Sequence, residues 1–371
     1  MPGARGSCMR GVLCLEDGFF IQGDLLNYTG EALGEVVFFT GMTGYEEALT
    51  DPSYCGQILV FTFPMVGNYG LPAGSGQSGR MMVRGLVARD IWAGKQVARS
   101  LPDGLGEQDC PAIYGLDTRA LVLHLRERGA QKGVISAVPE GGLGPEEVAG
   151  LAEKASRFDM KRVVEEVSCK EVRFVGDDAT PRGTCVMLDF GAKAGITSAL
   201  LEMGYRVCLV PPGASPDEIM AFSPSCVLLS NGPGDPEDNV SAIETAKSLL
   251  GRVPLFGICL GHQIIAKAVG SRITKLKYGH HGANHPVKDL LSGHVFVTSQ
   301  NHSYVVDESL LPDGVLVTHR NLNDGTVEGL LVRDSSGILA ASVQFHPEGA
   351  PGPLYRQFWS RLAREGGDLR A

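Results

Sequence analysis

Phe256-Gly257-Ile258-Cys259-Leu260-Gly261-His262-Gln263 sets one cysteine between two glycines, directly after the apolar run Val253 to Ile258. The spacing is that of a G-x-nucleophile-x-G elbow, with cysteine in the nucleophile's place. In such an elbow a sharp strand-to-helix turn holds the nucleophile in a strained backbone conformation, and side chains on the flanking glycine positions would collide. The turn points the sulfur at a helix N-terminus, where the macrodipole and unpaired N–H groups favour thiolate. The next backbone N–H, from Leu260, is placed to bind an oxyanion. A structural cysteine buried at a tight strand–helix turn is the alternative that this pattern alone leaves open.

Outward from the elbow the chain alternates strand and helix. Thr184–Phe190 reads as a buried strand, Ile196–Met203 as a helix ended by Gly204, and Tyr205–Val210 as the next strand. Cys226–Leu229 is a strand, Val240–Leu250 a helix, Val253–Ile258 a strand and His262–Val269 a helix ended by Gly270. This alternation predicts an α/β domain built on a mostly parallel sheet with helices on both faces. Ligands in such sheets bind beyond the carboxyl ends of the strands, where Cys259 lies.

A thiolate nucleophile wants a general base and a group that orients it. Gln344-Phe345-His346-Pro347-Glu348 supplies both after the β-like run Ile338–Phe345. His346 and Glu348 are two apart, so in extended backbone they point to one side. Glu348 can then accept one imidazole N–H and turn the other nitrogen toward the sulfur. A third element, Ser230-Asn231-Gly232-Pro233-Gly234-Asp235-Pro236, follows a buried strand and exposes backbone N–H groups to a ligand. No G-x-x-x-x-G-K-[ST] loop occurs, so neither nucleotide chemistry nor a cofactor is expected on this chain. His281 and His285 stand four apart in Gly279–His285, but no carboxylate or cysteine cluster accompanies them and Gly282 breaks any helix. No metal is expected there.

The remaining features bound the class. A formal charge of −9 without a basic cluster disfavours nucleic acid. No apolar stretch approaches the roughly 20 residues that span a bilayer, and the apolar stretch near the N-terminus is cut at Glu16-Asp17, too short for a signal peptide. A cytoplasmic, membrane-free protein is expected. The nine cysteines include no C-x-x-C pair, which argues against a disulfide framework or zinc ribbon, and those other than Cys259 read as core. Residues 9–65 carry short β-like runs broken by glycine, and a helix is predicted over Thr118–Arg128 with Gly129 as its stop. The polar segment 176–183, punctuated by Gly and Pro, reads as a linker between a β-rich α/β domain, 1–175, and the α/β domain, 184–371.

The elbow, the Ser230–Pro236 loop and the late His-Pro-Glu together resemble a class I glutamine amidotransferase. More narrowly, GHHGANHPVKD (279–289) and TSQNHSYVVDE (298–308) resemble the small subunit of carbamoyl-phosphate synthetase. FTGMTGYEEALTDPSY (39–54), GNYG (67–70) and LDTRALVLHLRERGAQKGVIS (116–136) resemble the N-terminal domain particular to that subunit. The resemblance spans nearly the whole chain. It implies that Cys259, His346 and Glu348 are catalytic and that L-glutamine is hydrolysed through a thioester. It implies oxyanion contacts from the N–H groups of Leu260 and Gly232, and glutamine contacts from Gly234, Gln263 and Asn301, with Gly41, Ser303 and Tyr304 lining the site. It also implies a large-subunit partner, which uses ATP and Mg and receives ammonia through a tunnel to make carbamoyl phosphate for arginine and pyrimidine synthesis.

Three positions depart from the family pattern. Ser303 stands where relatives usually have Gly, which would cost roughly 1 kcal/mol if that position needs φ > 0. Gly41 replaces a Ser common in bacterial relatives. The segment after Glu348 runs through Gly352-Pro353-Leu354-Tyr355 into the final helix and is shorter than in relatives. The alternatives are an amidotransferase subunit for another synthase, a catalytically weakened regulatory subunit, and a stand-alone cysteine hydrolase.

Overall fold

The computed structural model describes residues 9–94, 97, 99–177, 182–335 and 337–349. They fall into two compact units, 1–160 and 161–371. In the first unit the strands are β1 (Arg10–Leu15), β2 (Phe20–Leu26), β3 (Ala32–Phe39), β4 (Gln57–Phe61), β5 (Met65–Val66), β6 (Gly85–Val87), β7 (Asp90–Ile91), β8 (Ala112–Tyr114) and β9 (Gln131–Ala137). Seven of them close a barrel in the order β1-β2-β8-β6-β4-β3-β9, and β5 pairs with β7 apart from it. The predicted helix is found at Thr118–Arg128, where Asp117 Oδ1 accepts from Ala120 N–H and Gly129 ends it at φ 104°.

The second unit adds β10 (Arg173–Val175), β11 (Thr184–Leu188), β12 (Arg206–Val210), β13 (Cys226–Leu229), β14 (Leu255–Ile258), β15 (Ile273–Asp289), β16 (Val295–Val306), β17 (Val315–Asn321), β18 (Val327–Asp334) and β19 (Gly337–Val343). They form one sheet in the order β10-β12-β11-β13-β14-β19-β18-β17-β15-β16. The strands β12, β11, β13, β14 and β19 run parallel. Antiparallel strands flank them, β10 on one side and the β18–β17–β15–β16 group on the other.

Period-2 burial on both faces explains the continuous apolar runs. Val186 and Leu188 of β11 pack with the helices Val240–Leu249 and Leu260–Ala268, whereas Cys185 and Met187 pack with the helix Ala194–Glu202. The described cysteines, Cys14 to Cys259, are all free and buried. Among the described residues no helix is long and apolar enough to cross a membrane.

The boundary between units lies earlier than the sequence suggests. β10 pairs with β12, Arg206 lies over the Phe174 ring at 3.9 Å, and Cys169 N–H donates to Asp189 Oδ2 at 2.9 Å. Residues 161–175 therefore belong to the second unit, not to a domain 1–175. The segment 176–183 joins two strands of one sheet, β10 and β11, so its Gly and Pro punctuation marks a connection inside a unit rather than a domain linker. Residues 178–181 of it lie outside the described residues.

Candidate active site

Cys259 sits between β14 and the helix Leu260–Ala268 with φ 53° and ψ −103°, a conformation that costs a non-glycine residue about 1–3 kcal/mol. The flanking glycines make the turn possible. A Cβ on Gly257 would meet the Gly261 carbonyl carbon and oxygen at 2.6 Å, and one on Gly261 would meet the Leu229 oxygen at 2.1 Å. Three backbone bonds fix the elbow. Cys259 N–H donates to Val343 O at 2.9 Å, Gly261 N–H to Ser230 O at 3.0 Å and Gln263 N–H to Cys259 O at 3.1 Å. At the first helical position Leu260 N–H has no carbonyl of its own helix to reach. Gly232 stands close by, since a Cβ there would lie 2.4 Å from Phe190 O and 3.0 Å from Leu260 Cδ2.

His346 is wholly buried and is held by a bridge to β16, its N–H donating to Ser299 O at 2.9 Å. Its Nδ1 lies 2.9 Å from Glu348 Oε1, in the turn Pro347–Gly349. The same oxygen is 3.4 Å from Lys193 Nζ, and both side chains are buried. Nε2 of His346 is buried and makes no hydrogen bond. Burial and the Lys193 ammonium oppose a proton on His346. Glu348 and the Cys259 sulfur outweigh them, and the pKa is raised to about 9. Burial would raise the Glu348 carboxyl, but the His346 and Lys193 charges hold it down at about 2. At neutral pH His346 therefore carries a proton.

Several of the other expected residues of this unit are linked to this centre. Gln263 Nε2 donates to Tyr304 O at 2.9 Å and to Gln344 Oε1 at 3.1 Å. Asn301 presents its carbonyl 3.4 Å from Cys259 Sγ and its side-chain Oδ1 3.0 Å from His281 Nδ1. Tyr304 donates its hydroxyl to Asp235 Oδ2 at 2.8 Å, on the loop where Gly234 adopts φ 89°. Ser303 lies within β16 and is not among the residues with positive φ, so the strain expected from replacing glycine there is absent. Its buried hydroxyl has no hydrogen-bond partner among the described residues. Gly41 belongs to the first unit, in the turn after β3, where a Cβ would lie 2.4 Å from the Phe39 ring. The shortened segment beyond residue 349 lies outside the described residues.

Two residues at the centre were not foreseen. Gln344 Nε2 lies 3.6 Å from Cys259 Sγ. It is two residues before His346 in an extended run, so the alternation that pairs His346 with Glu348 would have found it. Lys193, in the turn Phe190-Gly191-Ala192-Lys193 after β11, carries no such local signal. Its N–H donates to Asn231 Oδ1 at 3.1 Å, and Asn231 Nδ2 donates to Gly191 O at 3.0 Å, tying the two loops together.

Residues 186–362 match the family model for glutamine amidotransferase class-I. Residues 13–135 match that for the carbamoyl-phosphate synthase small chain, CPSase domain. The carbamoyl phosphate synthase small chain of Caldanaerobacter subterraneus subsp. tengcongensis is 45% identical over 350 residues, 93% of each chain. That of Symbiobacterium thermophilum is 46% identical over 354 residues, 93% of this chain and 95% of its own. That of Akkermansia muciniphila is 42% identical over 371 residues, 96% of this chain and 98% of its own. With a cysteine elbow, a His–Glu pair and both family segments in one chain, the protein belongs to the carbamoyl phosphate synthase small chain family, as its glutamine amidotransferase subunit.

Proposed function

We propose that Cys259 attacks the side-chain amide carbon of L-glutamine as a thiolate, with His346 as its imidazolium partner. The N–H groups of Leu260 and Gly232 receive the oxyanion of the tetrahedral intermediate. His346 passes its proton to the nitrogen as the C–N bond breaks, releasing ammonia and leaving a γ-glutamyl thioester on Cys259. His346 then takes a proton from water, the hydroxide attacks the thioester, and glutamate departs with the thiolate restored. Glu348 orients His346 throughout. Gly234, Gln263, Asn301, Ser303 and Tyr304 hold the substrate.

Ammonia is delivered to the large subunit. There it joins bicarbonate in a reaction that consumes ATP with Mg²⁺ as cofactor and gives carbamoyl phosphate, in the cytoplasm, for arginine and pyrimidine synthesis. The observation that carries this reading is the strained Cys259 elbow with its proton-bearing His346–Glu348 pair at 2.9 Å, in a chain of this family.

The test is glutamine hydrolysis by the purified chain, alone and with the large subunit, bicarbonate and ATP. Activity should rise with the partner and yield carbamoyl phosphate. Cys259→Ser should abolish glutamine use while the complex still makes carbamoyl phosphate from added ammonia. Loss of both activities would make the cysteine structural.

A further inference from the structure

The hairpin of β15 and β16 gathers imidazoles behind the glutaminase centre. The rings of His280 and His302 lie 4.9 Å apart, and those of His280 and His285 5.0 Å. Glu328, wholly buried on β18, faces them. Its carboxylate accepts from Asn321 Nδ2 at 2.9 Å and from Gln300 Nε2 at 3.0 Å. One donor atom from each of His280, His302 and Glu328 lies within 4.8 Å of the others. Nδ1 of His280 is 3.8 Å from Glu328 Oε1 and, although buried, makes no hydrogen bond.

The hydrogen-bond partners fix the tautomer of His280. Nε2 of His280 is 2.8 Å from Asp324 Oδ2, and a carboxylate only accepts, so Nε2 carries the hydrogen. Nδ1 of His302 is 2.9 Å from the Tyr304 carbonyl, which also only accepts. In the neutral rings this leaves a lone pair on Nδ1 of His280, and His302 has a single hydrogen for two nitrogens that both face acceptors. The Nε2 of His302 lies 2.9 Å from Gln300 Oε1, another acceptor, while the Gln300 amide nitrogen is committed to Glu328. Buried acceptors are thus crowded together with too few hydrogens between them, at about 1–3 kcal/mol for each unsatisfied group. An imidazole whose second N–H is given to a carboxylate or a backbone carbonyl is the arrangement found around metal-binding histidines.

We propose that His280, His302 and Glu328 bind a divalent cation of the zinc class. Two imidazole nitrogens and a carboxylate oxygen are the protein ligands of open tetrahedral zinc sites, and imidazole selects such ions over Mg²⁺ or Ca²⁺. Ligand atoms about 3.4 Å apart surround tetrahedral zinc at ~2.0–2.1 Å, so the separations here, 3.8 Å for one pair and within 4.8 Å for all, must contract on binding. His285, whose buried Nδ1 also lacks a hydrogen bond, lies beside His280 with its ring centroid 5.0 Å away. The ion would pin β16, which carries Asn301 and Tyr304, to β18.

The competing occupant is a proton. Burial opposes charge on His280, but Asp324 and Glu328 outweigh it and raise its pKa to about 9. Metal analysis of the full chain, loaded with zinc and dialysed, separates the two. Binding predicts one equivalent per chain, visible bands of four-coordinate cobalt(II) after substitution, and a lower melting temperature on chelation. Glu328→Gln should weaken zinc binding more than tenfold. Asp324→Asn, which changes the acceptor that orients His280, should weaken it about 10–100-fold. Should Glu328→Gln fail to fold, the wild-type metal content and cobalt bands decide alone. Less than about a tenth of an equivalent in the wild type, or zinc bound as tightly by Glu328→Gln, overturns the proposal in favour of the proton.

Discussion

Replacing Gly261 by alanine tests whether the elbow's geometry sets the rate. The new Cβ would lie 2.1 Å from the Leu229 oxygen, 2.6 Å from its carbonyl carbon and 2.7 Å from its Cβ. Ordinary carbon contacts run about 3.5–4.0 Å, so the overlap is roughly 1 Å or more. The obstacle is the main chain of β13, wholly buried in the sheet, and it cannot rotate away. The helix Leu260–Ala268 must instead move off by about 1 Å, carrying Cys259 with it. Such overpacking costs about 1–3 kcal/mol. A misplacement of about 1 Å at a reacting group costs on the order of a hundredfold in rate.

Glutamine turnover and thermal melting are therefore measured together, with Gly270→Ala as control. Gly270, just past the far end of the same helix, has open space around its Cβ but φ 93°, so alanine there costs about 1 kcal/mol of backbone strain without moving Cys259. Gly261→Ala should lose about a hundredfold in kcat, and Gly270→Ala should lose stability alone. Wild-type turnover in Gly261→Ala, or equal loss of turnover in both, would mean that the elbow's geometry does not set the rate.

Glu348→Gln should lower the pH at which His346 loses its proton from about 9, because only Glu348 and the Cys259 sulfur offset burial and Lys193; an imidazole titration by NMR reads it directly. The linkage signs follow. His346, raised, stabilises fully below its ordinary 6.5 and loses that contribution as pH rises through about 9, while Glu348, depressed, stabilises above its ordinary 4.5 and loses it as pH falls through about 2. The stability gap between wild type and Glu348→Gln should be widest between 4.5 and 6.5 and shrink on either side, and a pH-independent gap would remove the ion pair as its source. Ser303→Ala should stabilise the free protein by up to about 1 kcal/mol, since a buried hydroxyl without a partner is removed, and raise KM for glutamine; an unchanged KM would exclude the hydroxyl from substrate binding.

What the sequence determined by itself is local. Gly257 and Gly261 mark the elbow because steric exclusion acts within a few residues. The apolar runs of β11 to β14 mark parallel strands because burial on both faces leaves no polar position, and His346 and Glu348 pair because alternation in an extended run puts i and i+2 on one side. Tertiary structure decided the rest. The antiparallel group β15 to β18 depends on registers broken by bulges between Lys275 and His280 and between Gly282 and His285, which no period in the sequence declares. Lys193 reaches Glu348 only because β11 and β19 share one sheet, with β13 and β14 between them. The segment 176–183 has the composition of a linker but joins two strands of one sheet, because pairing partners and not composition assign a strand to its unit. The histidines of Gly279–His285 lack a carboxylate in their own run; Glu328 is brought to them by strand order, since long-range pairing, unlike a turn or a helix, is fixed by the whole sheet at once.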